Sequence, residues 1–438
     1  MQKTIIFLWI LILLISCKET STNKFRSDLN NSGVYNSVPI KTIPKELWTF
    51  KTNGEIHASV AYDDKNIFIG SGDKNIYSID AKTGICNWKF ETNGAIYSTA
   101  SIEGKFIYFL STDGYLYKLN KNNGKLIWKF VTTGEKAHKV KDYFNLNQFV
   151  VDFWDFYQSS PIISDNKIYV GSGNTFYCIH KKTGKKIWEY LGSGAIHTSA
   201  AIKNNKVYFG SFDSKVYCLD ANTGNEIWDY QTGKDTTYYC WLGIQGSPAI
   251  ENDKLYIGSR DGLVYCLNST TGDSIWTNKN FERSWMPSSF AIGEKLYCGS
   301  SDAFSFYAIN KSTGNIEYKI KTNSYTFSSP AIDSEMAYIG SANGRLYGIN
   351  LDTKSIIWEY NTTKNALDSI NVFDEYGIIN IKNYNELGIK MQVNNFDNYV
   401  SFSNLLFKTY GAILSSPVIN NNTIYFGDYN GIIYALSN

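Results

Sequence analysis

Hydrophobic and polar residues alternate in short runs along most of this chain, and turn-forming residues separate the runs. Residues 207–228, VYFGSFDSKVYCLDANTGNEIW, show the pattern most clearly. Two runs of alternating aromatic or β-branched residues flank a turn at Asp213, and a second turn at Thr223 and Gly224 leads to a third run that carries Trp228. Because side chains alternate between the two faces of a strand, this pattern predicts three strands joined by hairpins.

The same unit returns along the chain at regular intervals. Four of the seven intervals between the closing aromatic residues are 40 residues long. A glycine stands four residues before six of these aromatic residues, and Lys354 takes its place before Trp358. Repetition with such a period is typical of solenoids and propellers, which are built from one small unit of secondary structure. The closing aromatic residues are Trp48, Trp88, Trp128, Trp188, Trp228, Trp276, Tyr318 and Trp358.

The first and last copies predict that the units form a closed ring. Eight units each contain three strands, which we name A, B and C, and all but the last are followed by a fourth strand, D. The last unit reaches the C-terminus without a strand D, and the strand around Trp48 precedes the first unit. The two halves complete one blade and leave no open sheet edge. We therefore predict an all-β fold, an eight-bladed β-propeller over residues 45–438 closed by an N-terminal strand.

The short segments before the tryptophans resemble a known motif. Residues 81–88 (AKTGICNW), 221–228 (ANTGNEIW) and 269–276 (STTGDSIW) resemble the tryptophan-docking motif of the PQQ-like β-propeller repeat family. The resemblance covers nearly all of residues 45–438. It implies that each closing aromatic residue packs between neighbouring blades, so these residues are expected to be structural.

The N-terminus has the features of a secretory signal over residues 1–16. Lys3 is followed by an apolar run from Ile5 to Ile15, which is too short to span a bilayer. The run ends in Leu-Ile-Ser-Cys17, which resembles the lipobox of bacterial lipoproteins and implies acylation of Cys17. An ordinary signal peptide or a single anchor helix is the alternative. The residue after the cysteine is Lys18 and not Asp, which favours the outer membrane and leaves open which leaflet the protein faces. Residues 17–44, which are rich in Ser, Thr and Asn, are predicted to form a lipidated tether.

Charge and cysteine usage exclude two further classes of function. The net charge of the 438 residues is +2 and no basic block occurs, so nucleic acid is not an expected partner. Cys178, Cys218 and Cys266 occupy one position in successive units, and the sequence has no CxxC or Cys/His metal spacing. We therefore predict buried packing residues, with neither a disulfide framework nor a metal site.

Three insertions interrupt the repeats between strand D and the next strand A, at about 135–157, 234–244 and 362–406. Because all such connections leave from one face of a propeller, this face is the predicted binding face. Residues 370–403 alternate over four short runs, so we expect a β-rich insertion there, and nine blades with one degenerate is the alternative. The candidate partner-binding residues are Tyr143, Phe144, Phe153, Trp154, Phe156, Tyr239 and Trp241. These side chains bind a partner or simply pack the loops onto the ring, and the sequence leaves both readings open.

Residues at the start of the strands A form a second candidate site, at the mouth of the central channel. A solvated mouth and a ligand pocket are both compatible with them. His57 and His197 are three blades apart, which is too far to share a metal ion. The candidate mouth residues are His57, Tyr97, Gln158, His197, Gln245 and Phe327.

The anchor, the repeats and the size together resemble the BamB-like propeller lipoproteins of the outer-membrane β-barrel assembly machinery. This resemblance implies a monomeric, cofactor-free, non-enzymatic scaffold that binds a protein partner. A surface lipoprotein that binds a glycan or small ligand is the alternative. A PQQ-dependent dehydrogenase is less favoured, because the catalytic propellers of that family use adjacent cysteines and an aspartate base. The chain has no Cys-Cys pair, and its repeated turn aspartates include none that stands apart.

Overall fold

The computed structural model describes residues 25–135, 137–233, 242–282, 284–362, 370–374 and 376–438. Within these ranges the chain folds into eight four-stranded antiparallel sheets arranged as the blades of a propeller, which confirms the predicted fold. The predicted signal peptide and Cys17 lie outside the described residues. So do Tyr239, Trp241 and most of the second insertion.

Each blade contains four strands, with A innermost and D outermost, and in blades 1 to 7 these follow one another in chain order. Strands A to D are Ala61–Tyr62, Asn66–Gly70, Asn75–Asp80 and Cys86–Glu91 in blade 1, and Ser101–Glu103, Phe106–Leu110, Tyr115–Asn120 and Leu126–Val131 in blade 2. They are Ile162–Ser164, Lys167–Ser172, Thr175–His180 and Lys186–Leu191 in blade 3, and Ala201–Lys203, Lys206–Gly210, Lys215–Asp220 and Glu226–Gln231 in blade 4. Strands A to D are Ala249–Glu251, Lys254–Gly258, Val264–Asn268 and Ser274–Asn278 in blade 5, and Ala291–Ile292, Leu296–Gly299, Ser305–Ile309 and Ile316–Lys321 in blade 6. They are Ala331–Ile332, Met336–Gly340, Arg345–Asn350 and Ser355–Asn361 in blade 7, and Val418–Asn420, Thr423–Gly427, Ile432–Ser437 and Lys45–Lys51 in blade 8.

The ring closes through blade 8, whose outer strand comes from the N-terminal part of the chain. Lys45–Lys51 pairs antiparallel with Ile432–Ser437, so that Lys45 lies opposite Ser437 and Lys51 lies opposite Ile432. This pairing gives the strand at the C-terminus a partner on both sides and removes the free sheet edge that an open ring would expose.

Contacts between neighbouring blades follow one rule, set by the closing aromatic residue and the glycine of the next blade. The Trp188 ring lies against Gly224, and its indole N–H donates to the Ala221 carbonyl at 3.2 Å. Trp48, Trp88, Trp228 and Trp276 make the same two contacts with the following blade. A side chain at the glycine position would collide with the ring of the preceding blade, which explains why a glycine stands there.

Three junctions differ from this arrangement. The Trp358 indole N–H donates to the Ile40 carbonyl at 2.7 Å, and the other two junctions use a lysine. The Lys354 ammonium lies 5.6 Å from the centre of the Tyr318 ring, so that a cation–π contact replaces the tryptophan and glycine pair. At the junction of blades 2 and 3 the Trp128 ring still lies against Gly184, but the buried Lys118 ammonium takes the place of the indole N–H as donor to the Lys181 carbonyl, at 3.1 Å. Burial lowers the pKa of Lys118.

The described part of the predicted tether is packed against the ring instead of being extended. Residues 25–34 run along the innermost strands of blades 4 to 7, and carbonyls of this segment accept from the amides of Ile202, Ile250, Ile292 and Ile332 at 2.7 to 3.0 Å. The buried Asn31 amide donates to the carbonyls of Ala200 and Pro248. Residues 25–34 are therefore part of the folded ring, because their backbone carbonyls accept from amides that strands A leave unpaired.

The third insertion is helical, so the predicted β-rich segment and the alternative ninth blade are both wrong. Helix α1 spans Ile381–Lys390 and helix α2 spans Phe396–Tyr410. Asn380 and Asn395 cap their N-termini by accepting from backbone amides, and Gly411, at φ 59°, ends α2. The buried positions of α2 include Phe396, Ser403, Phe407 and Tyr410, at the spacing of a helix face. The alternation of apolar and polar residues that predicted strands extends over only a few residues at a time.

Candidate functional site

The first and third insertions meet over one end of the ring, and we call this structure the cap. The cap consists of residues 137–157 and 370–410. In the first insertion, Lys139–Lys141 and Phe149–Val151 form a two-stranded hairpin. Its following segment packs onto α2, where the rings of Phe153 and Phe407 are stacked with centroids 6.1 Å apart. The insertions therefore build one continuous surface on the face from which the D-to-A connections leave.

The centre of the cap is a buried aromatic cluster. Trp154 and Phe156 are 4% and 5% exposed and pack against Phe327 of the channel mouth and Phe407 of α2. The Trp154 and Phe327 rings are stacked with centroids 5.4 Å apart. Three predicted partner-binding or mouth residues, Trp154, Phe156 and Phe327, are therefore inside the protein. These three side chains pack the loop onto the ring, where their flat rings fill the end of the channel.

The exposed apolar side chains of the cap lie in two groups at its outer surface. Tyr143, Phe144, Leu146, Phe149 and Val151 belong to the first insertion. Tyr376, Ile378, Ile381 and Ile389 belong to the third insertion. Tyr143 and Phe144 were predicted as partner-binding residues, and the other seven were not among the candidates. Their exposure depends on which way the hairpin and the helices turn, which no local pattern reveals.

A buried charged network holds the first insertion on the ring. His197 Nδ1 lies 2.8 Å from Asp155 Oδ2, and His197 Nε2 lies 3.2 Å from Glu135 Oε2. Burial by itself lowers the pKa of His197, but the charges and hydrogen bonds of Asp155 and Glu135 outweigh it and hold the pKa well above its ordinary value. The protonated imidazolium therefore joins blade 4 to both ends of the inserted segment.

Arg260 of blade 5 forms the second half of this network. Its guanidinium pairs with the buried Asp152 and donates to Gln245 Oε1, while the Gln245 amide donates to the Trp154 carbonyl at 2.7 Å. The guanidinium carbon also lies 4.6 Å from the centre of the Trp285 ring. Because a buried ion pair is costly to break, this arrangement fixes the loop that places Trp154. Gln245 is therefore a support for the cap.

The predicted channel mouth is closed by the same loop. His57 is stacked on Tyr97 with ring centroids 4.6 Å apart, and its Nδ1 lies 3.2 Å from the Phe156 carbonyl. Gln158 Oε1 accepts from the amide of Tyr97 at 3.2 Å. The cavity that these side chains and His197 line has a volume of about 30 Å³. This space admits a water molecule and does not fit a quinone cofactor.

The repeated turn aspartates have a structural task in four blades. Asp213 accepts from the Tyr217 hydroxyl at 2.8 Å and from the amide of Lys215. Asp73, Asp113 and Asp261 bind the tyrosine four residues later in the same way. Asp302 is different. Its turn is one residue longer, the tyrosine stands five residues later at Tyr307, and the buried Tyr307 hydroxyl has no hydrogen-bond partner among the described residues. The longer spacing is visible in the sequence, and it is the signal that distinguishes Asp302.

Among the described residues, no three His, Cys, Asp or Glu side chains come together in a way that could hold a metal ion. No helix within them is long and apolar enough to cross a membrane. Cys86, Cys178, Cys218, Cys266 and Cys298 are free thiols, and burial raises the pKa of each.

Several solved structures share this architecture. BamB from Moraxella catarrhalis is 15% identical, covers 90% of this chain and 100% of its own, and superposes with a TM-score of 0.65. A europium-containing methanol dehydrogenase is 11% identical, covers 94% of this chain and 97% of its own, and has a TM-score of 0.67. The computationally designed Ika8 protein is 13% identical, with coverages of 90% and 99% and a TM-score of 0.63. At these identities the likeness shows the fold alone.

Comparison of the sequence with known families and proteins gives a more specific result. No curated protein matches the sequence. The family model described as "Outer membrane protein assembly factor BamB" matches residues 44–151, 144–239 and 213–438. Because these matches span the ring from its closing N-terminal strand to the C-terminus, the chain belongs to the BamB family of PQQ-like propellers.

Proposed function

We propose that this protein is a lipid-anchored, non-enzymatic propeller that acts as a protein-interaction scaffold at the outer membrane, in the assembly of outer-membrane proteins. The observation that carries the proposal is the cap. Nine exposed apolar side chains of two insertions lie on its outer surface, and the buried cluster around Trp154 supports them from beneath. Exposed apolar side chains gathered on one face of a protein are typical of protein interaction sites.

The class of partner follows from the family. Its description names outer membrane protein assembly, so a component of that process is the partner to look for. Acylation of Cys17 would hold the propeller at the membrane, since each buried methylene of an acyl chain contributes about 0.8 kcal/mol. We place the protein in the outer membrane as a monomer, and the leaflet that it faces is left to experiment.

The non-enzymatic part of the proposal has support in the ring itself. The channel mouth, where a ligand would be expected, holds a cavity of about 30 Å³. Four of the turn aspartates accept from tyrosine hydroxyls of their own blades and are engaged in that structural task. The methanol dehydrogenase shares the fold, which by itself does not make this chain an enzyme. Binding of a glycan by the aromatic cap is the competing function.

A crosslinked pull-down of the lipidated protein from its own envelope, followed by mass spectrometry, tests the proposal. We expect recovery of outer-membrane assembly components with the wild-type protein. Substitution of the exposed Phe149 by Ala should reduce this recovery, and substitution of Ile85, equally exposed on blade 1, should not. If the wild-type protein recovers no specific protein partner, the scaffold function is wrong, and a glycan array with the same variants becomes the next measurement.

A further inference from the structure

A second cavity, of about 240 Å³, lies within the cap beside Asp302. Five parts of the chain converge on it. The first insertion supplies Tyr143 and Trp154, and α2 supplies Tyr399. Trp285 and Tyr325 come from the D-to-A connections on either side of blade 6, and the turn of blade 6 supplies Asp302. Apart from the turn, these residues stand outside the strands of the repeat, so the pocket is a feature of the insertions and connections.

The walls of the pocket are aromatic and are fixed by contacts with one another. The Trp154 ring lies 5.3 Å from the ring of Tyr325 and 6.0 Å from that of Tyr399, centre to centre. The Phe144 and Tyr399 rings are 6.1 Å apart. Because these side chains pack against each other and on the buried cluster beneath, the pocket is formed before any ligand arrives, which reduces the entropy lost on binding.

Asp302 places a carboxylate among these rings. The longer turn separates it from the tyrosine that binds the other turn aspartates, and the Ser301 hydroxyl is its side-chain hydrogen-bond donor. Lys321, a nearby base, instead donates to the Ala303 carbonyl and lies 3.9 Å from Glu282. Within the described ranges no basic side chain forms an ion pair with Asp302. Solvent reaches the carboxylate, but the protein around it raises its pKa.

The Asp302 carboxylate lines the pocket beside the aromatic rings and has no ion-pair partner among the described residues, so a cation that entered the pocket would find a counter-ion there. Tyr and Trp faces attract cations through the negative potential of their π-systems. The cavity is smaller than the roughly 300–1,000 Å³ of pockets that hold drug-sized ligands, so it suits a head group or the end of one side chain. We propose that this pocket binds an organic cation, an ammonium or guanidinium group, with Asp302 as the counter-ion and the aromatic rings as its walls.

The proposal goes beyond the scaffold function and is tested separately, with the isolated protein. Isothermal titration with choline and with its uncharged isostere 3,3-dimethylbutan-1-ol compares a cation with a neutral group of the same shape. We expect choline to bind at least about tenfold more tightly, because a partly desolvated cation–π and carboxylate site favours the charge by about this factor. Equal binding of the two compounds, or no binding of either, would overturn the proposal whatever the pull-down shows.

Three variants and two further ligands complete the test. Asp302→Asn should remove the preference for choline, whereas Asp397→Asn, a charge change beside Phe396 and outside the pocket lining, should keep it. Comparison of N-acetyl-arginine amide with choline shows whether the pocket prefers a basic side chain of a protein or a free quaternary amine. Binding of methyl glucoside without choline would instead identify a saccharide site. Arg283, next to Ser284 in the chain, lies outside the described residues. Binding of choline to Arg283→Ala but not to the wild-type protein would mean that this arginine fills the pocket, which would also overturn the proposal.

Discussion

Gly224 lies directly against the indole of Trp188 in the preceding blade. A Cβ atom built on Gly224 would come within 2.6 Å of Trp188 Cδ2, and the residue also has a φ of +75°. The glycine is therefore required twice, for its left-handed backbone and for the space that the ring occupies. This contact explains why a glycine recurs at this position from blade to blade.

Substitution of Gly224 by Ala should destabilise the ring through both effects. The left-handed backbone costs about 1–2 kcal/mol for a residue with a Cβ atom, and displacement of the packed ring adds about 1–3 kcal/mol. Gly104→Ala is the matched control, since Gly104 has a φ of +57° and no atom within 4 Å of the added Cβ. Urea denaturation should therefore show a larger loss for Gly224→Ala. Equal losses would mean that the contact with Trp188 contributes nothing.

The outer surface of the cap and its buried centre should respond differently to truncation. Phe149 is 65% exposed, so Phe149→Ala should change the free energy of unfolding by less than about 0.5 kcal/mol and still weaken partner recovery. Trp154 is 4% exposed, so Trp154→Ala should cost about 3–5 kcal/mol of local stability. Thermal unfolding and the pull-down, measured on both variants, separate the two effects. Loss of stability in Phe149→Ala would show that this side chain supports the cap instead of contacting a partner.

The packing of the first insertion should weaken as pH rises. His197 has a pKa well above its ordinary value in the folded protein because of Asp155 and Glu135. Its ion pairs are therefore fully present below the unfolded pKa of about 6.5 and are lost as pH rises through the folded value. The neighbouring His138 stays neutral over this range, since burial and the charge of Arg260 lower its pKa to about 4.

Hydrogen exchange of residues 137–157, corrected for the intrinsic rate, measures this weakening. We expect faster exchange at pH 9 than at pH 6 in the wild-type protein. His197→Gln keeps a polar side chain and cannot be protonated, so its exchange should be fast at both pH values. A wild-type protein with equal protection at both would show that the imidazolium does not hold the insertion.

The N-terminal segment along the channel should depend on Asn31. Its amide donates to the Ala200 and Pro248 carbonyls at 3.1 and 2.9 Å. Asn31→Ala leaves these buried acceptors without that donor and should cost about 1–3 kcal/mol. The amides of Ile202 and Ile250, which donate to the same segment, should exchange faster. Asn36→Ala, at an exposed position of the segment, is the control and should leave both measurements unchanged.

The sequence by itself determined the repeats of this protein. Each hairpin and each docking tryptophan depends on residues within one unit and its neighbour, so the alternation, the turns and the spacing of Gly224 and Trp228 predict the blades. The missing strand D at the C-terminus and the extra strand around Trp48 predict the closure of the ring for the same reason. The position of the insertions on one face follows from the order of the strands.

The tertiary structure decided what these insertions and connections do. Helix α2 is visible only when its buried positions are known, because Phe396, Phe407 and Tyr410 face partners that are distant in sequence. Trp154 and Tyr143 lie in the same insertion, yet one is buried and the other exposed, since the fold of the cap determines which ring faces inward. Asp302 shares its turn position with Asp213, and only the convergence of four other parts of the chain around it forms a pocket. Burial of a side chain depends on its neighbours in space, and a local pattern does not contain them.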